Sequence, residues 1–200
     1  MDFKYDGHIL RFDKNLSDLD KLVFDFVGLL EKAKMKYVIV SGYVAILFGR
    51  SRTTEDIDIY IGKVEFSEFS KFYDLLTKND YWLVDSDSAE DAFDRLEKSL
   101  SIRAAQKDTV VPNFEVKFAK KETDFMSLNT SIKAIINKRK LIISPLEIQI
   151  PYKFKLGSEK DIEDALHIYE LFNEKLDKAK MRSIAKGLKV ETEMTRHGLI

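Results

Sequence analysis

Asp56 and Asp58 flank a single isoleucine in the run Asp56-Ile57-Asp58-Ile59-Tyr60-Ile61. Successive side chains of a strand point to opposite faces, so both carboxylates share one face while Ile57, Ile59 and Ile61 fill the other. Two like charges held this close repel. At the mouth of a cleft a divalent cation relieves the repulsion, and Mg2+ (or Mn2+) takes one or two carboxylates together with substrate phosphates and water. Upstream, Ser41-Gly42 stands where the β-branched run Tyr37-Val38-Ile39-Val40 meets an apolar stretch that ends at Gly49. Backbone N–H groups at such a helix start lack intrahelical partners and favour phosphate, and Gly42 lets a ligand approach the backbone. Arg50 and Arg52 add positive charge. A phosphate cradle beside a two-carboxylate clamp is equipment for phosphoryl or nucleotidyl transfer.

The elements that must position these groups are readable from periodicity. Ser17 caps an amphipathic helix over about 18–34. Residues 37–40 read as a buried strand, 43–48 as a short helix with a glycine C-cap, and 56–61 as a second strand. Further along, the pattern predicts a helix after Ser67, strands near 81–84 and 102–105, a helix over 88–98, and an extended piece at Val110-Val111. The alternating Phe114-Glu115-Val116-Lys117-Phe118 reads as a strand, and a hairpin turns at the polar run 137–140. At Ser144 the character changes. Ser144-Pro145-Leu146-Glu147 has the form of a capping box with proline at the first helical position, and helices follow over about 144–156, 158–172 and 177–188. The division expected is an α/β core over 1–143 and a helical region over 144–200, with a loose tail from Glu191.

Composition narrows the function classes. The chain has 200 residues, 44% hydrophobic and 34% charged, with 33 Lys+Arg against 34 Asp+Glu. It is long enough for a hydrophobic core without metal or disulfide staples, and no global basic field draws nucleic acid, although a local patch could touch an RNA acceptor. No cysteine is present and only three histidines, which excludes thiolate nucleophiles, disulfides and the usual zinc spacings. No apolar run reaches the roughly 18 residues of a spanning helix, and the first residues lack a secretory signal, so no membrane partner and a cytoplasmic location are expected. No Gly-x-Gly-x-x-Gly or Gly-Lys-Ser/Thr is present, which removes the dinucleotide-binding and P-loop readings.

Ser41-Gly42, a short helix, and Arg52-Thr53-Thr54-Glu55-Asp56-Ile57-Asp58 resemble the signature of the DNA polymerase β-like nucleotidyltransferase superfamily, with the minimal and abortive-infection (AbiEii-type) nucleotidyltransferases the most alike. Ser41 preceding Gly42 departs from the usual Gly-Gly or Gly-Ser. Downstream, Tyr152-Lys153 and Lys160-Asp161-Ile162-Glu163-Asp164 are similar to the family's helical region. The resemblance implies an α/β (α+β) fold: a nucleotidyltransferase-like mixed β-sheet flanked by helices, followed by a C-terminal helical part. It implies Mg2+-dependent transfer from a nucleoside triphosphate (NTP) to a hydroxyl of an acceptor such as tRNA, a protein or a small molecule; a toxin–antitoxin component is a third reading compatible with that chemistry, because the resembling toxins are nucleotidyltransferases. Asp56, Asp58 and a third acid, Glu115, are the implied catalytic and metal-binding residues, with Glu115 either completing the metal site or deprotonating the acceptor. Asp124, in a polar loop, is the fallback. Ser41, Gly42, Arg52, Thr54 and Lys153 are the implied nucleotide contacts.

Each of these residues also has a plain reading. An Asp-x-Asp on a strand, or Glu115 with Lys117, can be a solvated face. Arg52 can pair with Glu55 or Asp56, and Lys153 can face solvent on its helix. A catalytically inactive nucleotide-binding or protein-interaction module of the same fold therefore stands beside the enzyme, and the apolar C-terminal helices leave room for a homodimer.

Overall fold

The computed structural model describes residues 1–200. Nine strands form one mixed sheet: β1 (Lys4–Tyr5), β2 (Ile9–Phe12), β3 (Tyr37–Ile39), β4 (Asp56–Ile61), β5 (Tyr81–Leu83), β6 (Ile102–Gln106), β7 (Asn113–Phe118), β8 (Ile132–Ile136) and β9 (Arg139–Ile143). Their spatial order is β1-β2-β8-β9-β3-β4-β7-β6-β5. The strands that matter for the site lie side by side: β3 antiparallel to β4, and β4 parallel to β7. The helices are α1 (Asp18–Lys32), α2 (Gly42–Leu47), α3 (Phe66–Lys78), α4 (Ala89–Glu97), α5 (Glu122–Asn129), α6 (Leu146–Leu156), α7 (Glu159–Phe172), α8 (Lys178–Leu188) and α9 (Glu191–Arg196).

The alternation expected of β4 and β7 is what the core uses. Ile57, Ile59, Ile61, Phe114 and Val116 are all fully buried on one face. There Phe114 stacks on Phe26 of α1, with ring centroids 3.8 Å apart. Fully burying each such side chain contributes about 1.5–3 kcal/mol, which fixes the register and leaves the alternate residues on the other face. That second face is partly covered: Val38, Val40 and Ala119 pack with Leu128 of α5. The main core is continuous from Phe3 to Leu199, so α6 to α9 share it with the sheet. No helix is long and apolar enough to cross a membrane.

Several local expectations are corrected. Residues 9–12, to which the sequence pattern assigns no element, form a strand because they add to the edge of β8, a tertiary partner no local pattern reveals. Val110-Val111 is not in a strand. Ser144 caps nothing: α6 begins after Pro145 without a side-chain cap, and the Ser144 hydroxyl donates to Ser127 Oγ at 2.9 Å. Glu147 instead accepts the N–H of Asp177. The tail is ordered, since Met194 and Leu199 are buried and 191–196 are helical. The hairpin turns on Asn137 and Lys138, both at positive φ, the geometry of a two-residue type I′ turn.

Candidate functional site

The parallel pairing of β4 with β7 sets Asp58 opposite Glu115, Asp56 opposite Asn113 and Tyr60 opposite Lys117. Paired residues of neighbouring strands point the same way, so Asp56, Asp58, Tyr60, Glu115 and Lys117 share the face away from the Phe114 core. Lys117 Nζ lies 3.0 Å from Glu115 Oε1 and 3.9 Å from Asp58 Oδ1. Burial, reinforced by the neighbouring Glu115 and Asp56, pushes the Asp58 carboxyl up to about 6, against the pull of Lys117 and a hydrogen bond from the Ser41 hydroxyl. Burial acts on Glu115 in the same direction but is outweighed by hydrogen bonds from Lys117 and Ser101, so its carboxyl stays below the usual value. Lys117 is held above the usual lysine value: burial disfavours its charge, and the carboxylates of Glu115 and Asp58 restore it.

Asp56 is exposed at the start of β4. The Thr54 hydroxyl donates to the Asp56 carbonyl at 2.9 Å and lies 3.3 Å from its Oδ1, which ties the loop to the carboxylate. No three acidic or imidazole side chains close on one point. Asp56 and Asp58 offer two hard oxygen ligands, a donor set that fits Mg2+ when phosphates and water complete the shell.

Ser41 and Gly42 sit where β3 passes into α2, as the spacing predicts. Ser41 has φ 62° and ψ −136°, a conformation costly for a residue with a side chain. Its N–H donates to Gln149 Oε1 of α6 at 3.2 Å. Gln149 lines a small cavity with Val40, Tyr60, Asp124 and Tyr152, and its Nε2 has no partner. The need for glycine at 42 has a cause inside the protein: a Cβ there would overlap Arg52 Nη2, with Arg52 Cζ only 3.2 Å away.

Arg52 and Lys153 are placed otherwise than the nucleotide reading expects. Arg52 grips Asp164 of α7 with two donors, Nε to Oδ1 at 3.1 Å and Nη2 to Oδ2 at 2.9 Å. Lys153 is fully buried and donates to Asp164 Oδ2 at 2.8 Å and to Asp161 Oδ1 at 3.2 Å. Arg50 adds ion pairs to Glu163 and to Asp164. The cluster carries Arg50, Arg52 and Lys153 against Asp161, Glu163 and Asp164, a balanced set that fastens α6 and α7 to the loop before β4. In this arrangement neither Arg52 nor Lys153 offers a free cation to a phosphate.

Asp124, the fallback acid, is not in a loop. It lies in the first turn of α5, buried, and accepts the N–H groups of Lys120 and Lys121. Sequence reasoning missed the roles of Lys117, Gln149 and Asp164. Lys117 had a usable signal, since it shares a strand face with Glu115. The meeting of Asp164 with Arg52 spans 112 residues and has no local trace.

No protein-family model matches the chain, and no curated protein matches it by sequence. Solved structures do match in shape. One is an antigenic nucleotidyltransferase-like protein from Paracoccidioides brasiliensis, at TM-score 0.52 and 17% identity over 90% of this chain and 91% of that one. Another is ANT(2'')-Ia in complex with adenylyl-2''-tobramycin, at TM-score 0.57 and 13% identity over 86% and 98%. The solution structure of the antibiotic-resistance factor ANT(2'')-Ia matches at TM-score 0.54 and 14% identity over 91% and 98%. The shared property is the nucleotidyltransferase-like fold.

Proposed function

We propose that the protein is a metal-dependent nucleotidyltransferase. The observation that carries this reading is the placement of Asp56 and Asp58 on one open face of β4, with Glu115 in register beside Asp58 and the Ser41-Gly42 turn at the end of the adjacent strand. Asp56 and Asp58 would hold Mg2+ (or Mn2+), which when bound neutralises the triphosphate and the charge developing at phosphorus. The turn at Ser41-Gly42 borders the space for the β- and γ-phosphates, and Thr54 orients Asp56. Of the two roles open to Glu115, general base fits better, because it is held ionised beside Lys117. In the reaction the acceptor hydroxyl gives its proton to Glu115, its oxygen bonds to the α-phosphorus, and the bond from that phosphorus to pyrophosphate breaks. Every transferred atom and proton is then accounted for.

The experiment is titration calorimetry with Mn2+ and a nucleoside triphosphate, followed by pyrophosphate release with tRNA, protein and small-hydroxyl pools, tobramycin among the last. Binding that Asp58→Ala abolishes, and release with one pool, support the reading. Absence of binding sinks it. A non-catalytic module of the same fold is the second reading, favoured by the engagement of Arg52 and Lys153 with Asp164 rather than with a ligand. Binding without pyrophosphate release would select it. A toxin–antitoxin role rests on the Arg52–Asp58 resemblance alone, and growth arrest on induction tests it.

A further inference from the structure

We propose that Lys117 occupies the position of a second divalent cation, between Glu115 and Asp58, so that the site takes a single metal ion held by Asp56 and Asp58. The inference rests on the nucleotidyl-transfer reading and deepens it. Phosphoryl-group chemistry in two-metal sites uses a pair of ions about 3.5–4 Å apart, bridged by shared carboxylates. Here a fixed cation already bridges two carboxylates: Lys117 Nζ is 3.0 Å from Glu115 and 3.9 Å from Asp58.

The placement is built into the sheet. Glu115 and Lys117 are two apart on β7 and therefore share a face, and the register with β4 sets Asp58 beside Glu115. Lys117 cannot swing away without cost. Its side chain is only 35% exposed, and removing it from Glu115 would strand a half-buried carboxylate. Charge points the same way. Three carboxylates, Asp56, Asp58 and Glu115, against one ammonium leave the protein's own side chains with two formal negative charges before any nucleotide enters, the charge of one divalent ion. A second ion would bring two like charges against the lysine at contact distance. The side-chain geometry agrees, because Glu115 turns to Lys117 and the three acids do not close into one ligand set.

The test counts metal ions rather than turnover. Wild type and Lys117→Met are titrated with Mn2+ in the presence of an α,β-methylene nucleoside triphosphate, by calorimetry and by electron paramagnetic resonance. One Mn2+ per chain with an uncoupled spectrum is expected for wild type. For Lys117→Met, two per chain and an exchange-coupled spectrum are expected. Two ions in wild type, or a single ion in a folded Lys117→Met, overturns the inference while leaving the nucleotidyl-transfer reading intact. No nucleotide or metal bound by wild type overturns both. If Lys117→Met fails to fold, Lys117→Gln is measured in its place, with the same stoichiometries deciding.

Discussion

The guanidinium of Arg52 and the carboxylate of Asp164 meet as a two-point ion pair, with Asp164 fully enclosed and Arg52 nearly so. The pair bridges the loop that enters β4 and the helix α7, and Lys153 joins it from α6. It therefore sets where the C-terminal helices stand relative to Asp56 and Asp58.

Removing one member of such a cluster leaves its partners charged and buried. Asp164→Ala strips Arg52 of its two-point carboxylate partner and leaves the buried Lys153 with Asp161 alone, and is expected to cost about 3–5 kcal/mol of unfolding free energy. Arg52→Ala leaves Lys153 as a partner for Asp164 and should cost less. Chemical denaturation of the two single variants and the double variant checks this, with a coupling energy of about 0.5–3 kcal/mol expected for residues in contact. Additive effects would show that the pair does not hold the helices.

Gly42 is predicted to be required because of Arg52. Gly42→Ala places a methyl group on Arg52 Nη2 and should destabilise by about 1–3 kcal/mol, as overpacking does. In an Arg52→Ala background the obstruction is gone, and Gly42→Ala should then be close to neutral. Thermal unfolding of the four proteins decides. If Gly42→Ala is stable with Arg52 present but nucleotide binding is lost, the glycine serves the ligand instead.

Asp58 predicts a pH dependence with a definite sign. Its folded value, pushed up to about 6 by burial and by Glu115 and Asp56, lies above the ordinary aspartate value of 3.8 that it takes in the unfolded chain. Between these values the folded state binds more protons than the unfolded state, so this group's contribution falls as pH rises. One pKa unit is about 1.4 kcal/mol, so the loss between pH 4 and 7 reaches at most about 3 kcal/mol. In chelator, Asp58→Asn should flatten that slope and be the more stable protein at pH 8. Metal binding should strengthen as pH rises through 6 and should release protons, visible as a buffer-dependent heat.

The strands of the site could be read from the chain because each has one face buried, and Ile57-Ile59-Ile61 and Phe114-Val116 declare that face by alternation. That Glu115 stands on a strand beside Asp56 and Asp58 is what the family pattern implies rather than what spacing shows, since nothing local tells which strands become neighbours; its register opposite Asp58 comes from the structure alone. Arg52 and Lys153 were harder. A cation in a loop or on a helix looks the same in sequence whether it awaits a phosphate or a carboxylate more than a hundred residues on. Asp124 reads as a loop residue because Glu122–Asn129 has a weak apolar period, and the segment is helical through packing of Leu128 on Val38 and Val40. Ser144-Pro145-Leu146-Glu147 matched a capping motif in letters, but the side chains found better partners in Ser127 and Asp177.

Ser41 carries backbone strain and a hydroxyl directed at Asp58 at once, and substitution can separate the two. Its φ of 62° with ψ −136° suits glycine, so Ser41→Gly should relieve about 1 kcal/mol of strain. The same change removes the hydroxyl that hydrogen-bonds Asp58 and favours its ionised form. Without it the Asp58 carboxyl should titrate higher. Ser41→Ala loses the hydroxyl but keeps the strain. The expected pattern is therefore a higher melting temperature for Ser41→Gly alone, and an upward shift in the pH midpoint of metal binding for both variants. The Gln149 contact to the residue-41 N–H survives in each, so a loss of stability in Ser41→Gly would show that the strained turn is held by the side chain rather than in spite of it.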